Sequence, residues 1–352
     1  MNAAVIVGDA GGTSLRFSLA RLTDNGVHLE AQRKYSEVKD AHGQVVKPLF
    51  KSFDDALATY LEETGYDPAG RDALFALAGP PETDGSVLMT NRGYWPRILP
   101  GALTARFGLA SATLVNDFAA MARAIPEMPG QDFVEILPGE GRIGAPVIVT
   151  GPGTGFGIAT LTTTPAGRYM PITGQGGHAA YAARTVREAE LAARLPKCEK
   201  AQAILKAHGQ DAECAHVSTE MVVSGEWLKP VFDIISDLQG VDRSDLSAAD
   251  ILERAEAGDP VCVETCLLRA RAIMGAAGDV VLINGGQGGV VLTGGVAERM
   301  PRWLRHPEAA ARFRERASET PFMKDVPVRV LMNHDAPLKG AAALLFDSMG
   351  FV

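Results

Sequence analysis

The chain has 352 residues with a formal net charge of −8 and a pI near 5.5, which argues against a nucleic-acid partner, since phosphate-backbone binding needs a basic face. At 46% hydrophobic and 22% charged residues it has the apolar content of a globular protein, and its length exceeds what one hydrophobic core usually serves, so two lobes with a cleft between them are expected. The opening MNAAVIVGDAGG has no basic n-region and reaches glycine after a few apolar residues, the pattern of neither a signal peptide nor a membrane span, so a cytoplasmic setting is expected.

In chain order, residues 3–9 form a β-rich apolar run and residues 14–21 alternate like a half-buried strand, with AGG as a tight turn between them. A third strand is expected near residues 28–36. The helix DDALATYLEETG, the strand DALFALAG, the helix PGALTARFG and the strand ATLVND follow. After Pro126 and Pro129 the opening device recurs: APVIVTGPGTGFGIATLT reads as strand, glycine turn, strand, with YMPITG as a third. Two halves that each begin with a hairpin around a glycine loop imply a duplicated α/β unit. A long helical stretch then runs from about residue 183 to 284 and includes EMVVSGEWLKPVFDIIS and VCVETCLLRARAIMGAAGDVVLIN. Within it Cys262 and Cys266 lie four apart, on one helix face, which fits packing and not a metal or redox pair. The strand GGVVLTGG, a basic helical segment, the strand VPVRVLMN and the helix KGAAALLFDSM close the chain. If that last helix returns to the first lobe, the lobes are residues 1–127 plus 335–352, and residues 128–334 with a helical insertion.

The chemistry lies in the loops. In GDAGGTSLR a strand delivers Asp9 to its carboxyl end and the chain turns at once through Ala10, Gly11 and Gly12 into Thr13. Backbone amides and a hydroxyl are thereby set beside a carboxylate that can hold Mg²⁺ directly or through water. The second loop, GPGTGFG, repeats the arrangement with Thr154 as the hydroxyl, so two turns can clamp one polyphosphate. Neither loop fits GxxxxGK[ST], and neither has the context of a dinucleotide-binding GxGxxG. Asn116 and Asp117 end an apolar strand and begin a helix in LVNDFAAM. That place suits a helix N-cap, and it equally suits a carboxylate that accepts an alcohol proton beside an orienting amide. Thr90, Asn91, Gln175, His178 and Glu220 supply further groups able to meet vicinal sugar hydroxyls.

With these residues in view, GDAGGTSLR resembles the first phosphate motif of the hexokinase, actin and heat-shock chaperone superfamily. VNDF, GPGTGFG, GQGGH, EMVVSG and VVLTGGVAERM resemble, in order, the motifs of the bacterial glucokinase family over residues 5–345. The resemblance implies a two-lobed, actin-like ATPase fold of ribonuclease H-like α/β cores. It implies an ATP-dependent kinase for the 6-hydroxyl of glucose, in the cytoplasm and as a homodimer, with no membrane partner. It places ATP phosphates and Mg²⁺ at Gly8, Asp9, Ala10, Gly11, Gly12 and Thr13, with Gly153, Thr154 and Gly155. Gly294 and Gly295 would lie beside the adenosine. Asn91, Asn116, Asp117, Gln175, His178 and Glu220 would hold the hexose, with Asp117 as the base. The zinc motif of the related repressor-and-kinase family is missing. The family's sugar loop usually reads GEGGH, so Gln175 replaces a carboxylate, a change expected to cost about 1–2 kcal/mol, or roughly tenfold in affinity or selectivity. Kinases for another hexose or an amino sugar, and a non-catalytic sugar sensor, are the rival readings; an actin- or chaperone-like ATPase would leave VNDF and GQGGH unexplained.

Overall fold

The computed structural model describes residues 4–12, 14–36, 48–90, 92–207, 209, 216–242 and 245–351. They divide into two compact units: residues 1–130, 163–173 and 333–352, and residues 131–162 and 174–332.

In the first unit the sheet order is β3-β2-β1-β4-β5, from β1 (Val5–Ala10), β2 (Ser14–Thr23), β3 (Gly26–Ser36), β4 (Asp72–Leu77) and β5 (Ser111–Asn116). β1 and β2 form an antiparallel hairpin, while β1, β4 and β5 run parallel. All of β1 is buried because both of its faces are covered. Successive side chains of a strand point to opposite faces, and the sequence obeys this: Ile6 joins one core with Phe17, Phe53 and Phe75, whereas Val5 and Val7 join another with Leu338, Ala341 and Leu345. The first core is covered by α1 (Phe53–Thr64) and the second by the C-terminal helix Ala336–Ser348. α2 (Pro100–Phe107) precedes β5, and α3 (Asp117–Ala124) follows it without a break. The C-terminal helix approaches α3 so closely that a Cβ at Gly340 would stand 1.8 Å from the carbonyl oxygen of Ala120. Arg123, fully buried near the end of α3, locks this contact. Its guanidinium bonds Asp347 at 2.6 and 3.0 Å and Glu127 at 2.8 Å, and lies 4.8 Å from the centre of the Tyr169 ring.

The second unit repeats the scheme. β6 (Phe133–Leu137), β7 (Val147–Pro152) and β8 (Phe156–Thr163) precede β9 (Tyr169–Gly174), most of which belongs to the first unit's residues. The helices α4 (Val186–Arg194), α5 (Glu199–Ala207), α6 (Glu220–Val223), α7 (Leu228–Leu238) and α8 (Ala248–Glu256) lead into the 25-residue α9 (Pro260–Asn284). β10 (Gly289–Leu292), α10 (Gly295–Glu298), α11 (Pro301–Leu304), α12 (Pro307–Arg314), α13 (Thr320–Met323) and β11 (Val328–Leu331) complete it. Its own strands lie in the order β6-β11-β10-β7-β8, with β7 and β8 an antiparallel hairpin and β7, β10 and β11 parallel. Each unit is thus a hairpin around a glycine loop extended by two parallel strands, the duplicated α/β core expected from the sequence.

α9 begins where Asp259 accepts hydrogen bonds from the N–H groups of Val261 and Cys262, and it ends at Gly285 with φ 66°. Being apolar on nearly all sides, it is buried as the unit's central rod. Cys262 and Cys266 are buried in that core and in no disulfide, and burial pushes the Cys266 thiol up to about 11, so both are packing residues.

Candidate active site

In the first unit, Asp9, Asn116 and Asp117 sit at the carboxyl ends of the parallel strands β1 and β5 and the start of α3, the edge where open α/β sheets place their ligands. Gly8 is required there by packing, since a Cβ would come within 2.8–2.9 Å of the Phe17 and Phe75 rings. Beyond it the chain reverses tightly, the Gly11 N–H donating to the Ser14 carbonyl at 3.0 Å. The Asp9 carboxylate is buried, and its Oδ2 accepts from Nε and Nη2 of Arg16 at 3.1 and 2.6 Å, leaving Oδ1 without a bond from that guanidinium. Arg16 also donates to the His334 carbonyl.

Asn116 serves as the N-cap that its position suggests, its Oδ1 accepting from the Phe118 N–H at 3.0 Å while its Nδ2 donates to the Gly79 carbonyl at 3.2 Å. An amide nitrogen has two N–H groups, and beyond the Gly79 bond the Asn116 side chain also bonds the Asp117 carboxyl. Asp117 accepts the same Phe118 N–H on Oδ1 at 3.0 Å. Burial drives its pKa up and the negative charge of Asp9 adds to the effect, to about 7, against the bonds from the backbone and Asn116. A carboxyl tuned in this way can take a proton near neutral pH. Ala10 and Gly12 lie in the same turn, Ala10 as the buried last residue of β1 and Gly12 just beyond it. Thr13 and Asn91 fall outside the described residues.

In the second unit the expected groups converge on Phe156. Gly153, Thr154 and Gly155 form the turn between β7 and β8, closed by the Gly153 N–H donating to the Gly155 carbonyl at 2.8 Å. Oε2 of Glu220, the first residue of α6, accepts from the Phe156 N–H at 2.8 Å. Gly177 is pressed against the same residue, where a Cβ would stand 2.0 Å from its carbonyl oxygen. That contact fixes the short 3₁₀ turn Gly176–His178, which leaves Gln175 and His178 exposed. Gly294, at φ 88°, lies against the Pro152 carbonyl, and a Cβ at Gly151 would stand 1.8 Å from the Thr293 carbonyl oxygen. The ends of β7 and β10 therefore meet backbone to backbone, with Gly295 exposed next to the contact.

Three arginines near these groups are not among the expected site residues; Arg16 closes the motif GDAGGTSLR, while Arg92 and Arg269 lie in no motif. Arg16 pairs with Asp9. Arg92 is 2% exposed, donates from Nε to the Gly11 carbonyl at 3.1 Å and lies 4.6 Å from the centre of the Trp95 ring, so it ties segment 92–95 to the first glycine turn. Arg269 reaches from α9 to the end of α6. The alternation in SLRFSL could have revealed Arg16, which follows Asp9 across a hairpin; the other two meet partners far away in the chain.

Two units with glycine turns at the ends of parallel strands, and a tuned carboxyl on one of them, define a sugar kinase of the actin-like ATPase fold. The chain belongs to the glucokinase family, whose family model matches residues 6–348. It is 31% identical over 345 residues to the glucokinase of Nitrobacter hamburgensis, with 98% of each chain covered. Among solved structures it resembles a glucokinase from an Antarctic psychrotroph, with a TM-score of 0.77 at 30% identity over 99% of this chain and 100% of that one. A glucokinase from Balamuthia mandrillaris in complex with glucose shares the fold, with a TM-score of 0.74 at 20% identity over 96% and 92% of the two chains. The chain is accordingly an enzyme of an ATP-dependent glucose kinase family. No helix among the described residues is long and apolar enough to cross a membrane.

Proposed function

We propose that this chain moves the γ-phosphoryl group of ATP onto the 6-hydroxyl of glucose, with Asp117 as the base. The observation that carries this reading is a carboxyl pushed up to about 7 at the tip of α3, next to the Asn116 amide, in a chain of the glucokinase family. As the 6-oxygen attacks the γ-phosphorus, its proton passes to Asp117 and the bond to the β-phosphate oxygen breaks, releasing ADP. The Asn116 amide would orient the sugar. Asn91, Gln175, His178 and Glu220 would meet its other hydroxyls, Glu220 with the Oε1 that Phe156 leaves open.

The N–H groups of Gly8 to Gly12 and of Gly153 to Gly155, with the Thr13 and Thr154 hydroxyls, would hold the phosphates, and Gly294 and Gly295 the adenosine side. The donor set suits Mg²⁺ only together with a nucleotide: no cluster of three metal-ligating side chains exists among the described residues, while Asp9 offers one buried carboxylate. Asp9 and phosphate oxygens would therefore hold the ion, which when bound neutralises charge on the transferring group. A cytoplasmic homodimer belongs to the same reading.

The test is an ATP-consumption assay coupled to ADP release across glucose, mannose, fructose, glucosamine and N-acetylglucosamine. Preference for glucose supports the reading. Preference for another sugar of the panel favours the second reading, which Gln175 motivates, and ATP turnover with none of them overturns both.

A further inference from the structure

Arg269 is 1% exposed on α9, and among the described residues it forms no ion pair. Its Nε donates to the Val222 carbonyl at 3.1 Å, and its Nη2 donates to the carbonyls of Val223 and Ser224 at 2.6 Å each. These oxygens end the four-residue α6, where carbonyls have no helical partner and a cation meets the negative end of the helix dipole. Burial pulls the pKa of Arg269 down to about 10, which leaves the side chain charged at neutral pH.

The segment that Arg269 grips is the one that holds the second glycine turn from behind. At its start, Glu220 accepts the Phe156 N–H; at its end, the Gly225 N–H donates to the Gly153 carbonyl at 2.8 Å. Both sides of the Gly153–Gly155 turn thus hang on residues 220–225. Were Arg269 only core filling, an apolar side chain of similar volume would serve in its place and would spare the desolvation of a charge. It would leave three buried carbonyls unsatisfied.

We infer that Arg269 is a positioning residue for nucleotide and hexose binding, fixing the Gly153–Gly155 turn and the Glu220 carboxylate together and placing an unneutralised positive charge behind the loop. The inference rests on the reading of that turn as a phosphate clamp and deepens it. It implies that ATP affinity and glucose affinity fall together when the guanidinium is lost.

The experiment compares wild type, Arg269→Lys and Arg269→Met by calorimetric titration with ATP, by KM and kcat for both substrates, and by thermal melts that fix a temperature at which each is folded. In Arg269→Met, ATP affinity should fall about tenfold, from three lost charge-assisted bonds and one lost charge. KM for glucose should rise in parallel and kcat should change less. Arg269→Lys should fall between, and it decides the matter alone if the methionine variant does not fold. Folded variants with wild-type ATP affinity and wild-type KM overturn the inference, leaving Arg269 a stabilising residue. A wild-type protein that binds no ATP overturns the clamp reading itself.

Discussion

Asp117 has two opposed demands on it. As a base it must be ionised, yet its surroundings favour the neutral form, so kcat/KM should show an acid limb of unit slope near pH 7, falling as pH falls. A profile flat from pH 5.5 to 8 would remove the carboxyl from the reaction. Stability moves the other way. A folded-state pKa raised above the ordinary carboxyl value of 3.8 contributes stability that is complete below the unfolded value and is lost as pH rises through about 7. Asp117→Asn should therefore melt higher than wild type at pH 8, with an advantage that shrinks toward pH 4, while kcat drops by about 10²–10⁴. Gln175→Glu restores an anionic acceptor on an exposed turn and should raise kcat/KM for glucose roughly tenfold, read against mannose and glucosamine. Much of this was legible in the residues. Asn116 is readable both as a cap and as an orienting amide, and the structure shows the cap. Arg92 and Arg269 were not legible, because an arginine that bonds backbone carbonyls far along the chain leaves no local pattern.

Elements follow their sequence signals where the signal is local. The hairpins around both glycine loops, α9 (Pro260–Asn284) with its cap at Gly285, and the closing helix begin and end close to where capping and apolar spacing place them. EMVVSGEWLKPVFDIIS was readable as one apolar helical stretch, yet it breaks into α6 and α7 because Gly225 gives its N–H to Gly153 instead of to a helix carbonyl. A tertiary hydrogen bond overrides periodicity there. β6 was missed for a related reason: FVEIL is short and finds its partner in β11, far along the chain. The glycine contacts give a direct test. Gly151→Ala forces β7 and β10 apart, since no side-chain motion can relieve a clash with the Thr293 carbonyl. It should cost about 2–3 kcal/mol in denaturant midpoints and weaken ATP binding. An alanine variant with wild-type stability would mean that the two strand ends do not meet as described.

At the scale of the molecule, length and two glycine loops were enough to expect duplication, and the paired sheets bear it out. What composition could not tell is how the chain distributes itself. The strip 163–173 is grouped with the first unit, where Tyr169 packs on Arg123. That contact joins a buried cation to an aromatic ring more than forty residues away. The closing helix supplies half of one core of that unit, burying Leu338, Ala341, Leu345 and Phe346 against β1 and β4. Ending the chain at residue 335 should therefore abolish hydrogen-exchange protection in β1 and β4. Retained protection there would show that α3 and the sheet close without it.

The seam between Gly340 and Ala120 also bears on the order of events during synthesis. A ribosome makes β1, the turn after it and Asp117 more than two hundred residues before the helix Ala336–Ser348 that packs on α3. Until then the early segments have one apolar face open to whatever is nearby, and they must wait while the whole second unit is built. A chaperone that holds unfinished chains should therefore be found on residues 4–124 of arrested nascent chains and should leave once residue 348 has cleared the exit tunnel.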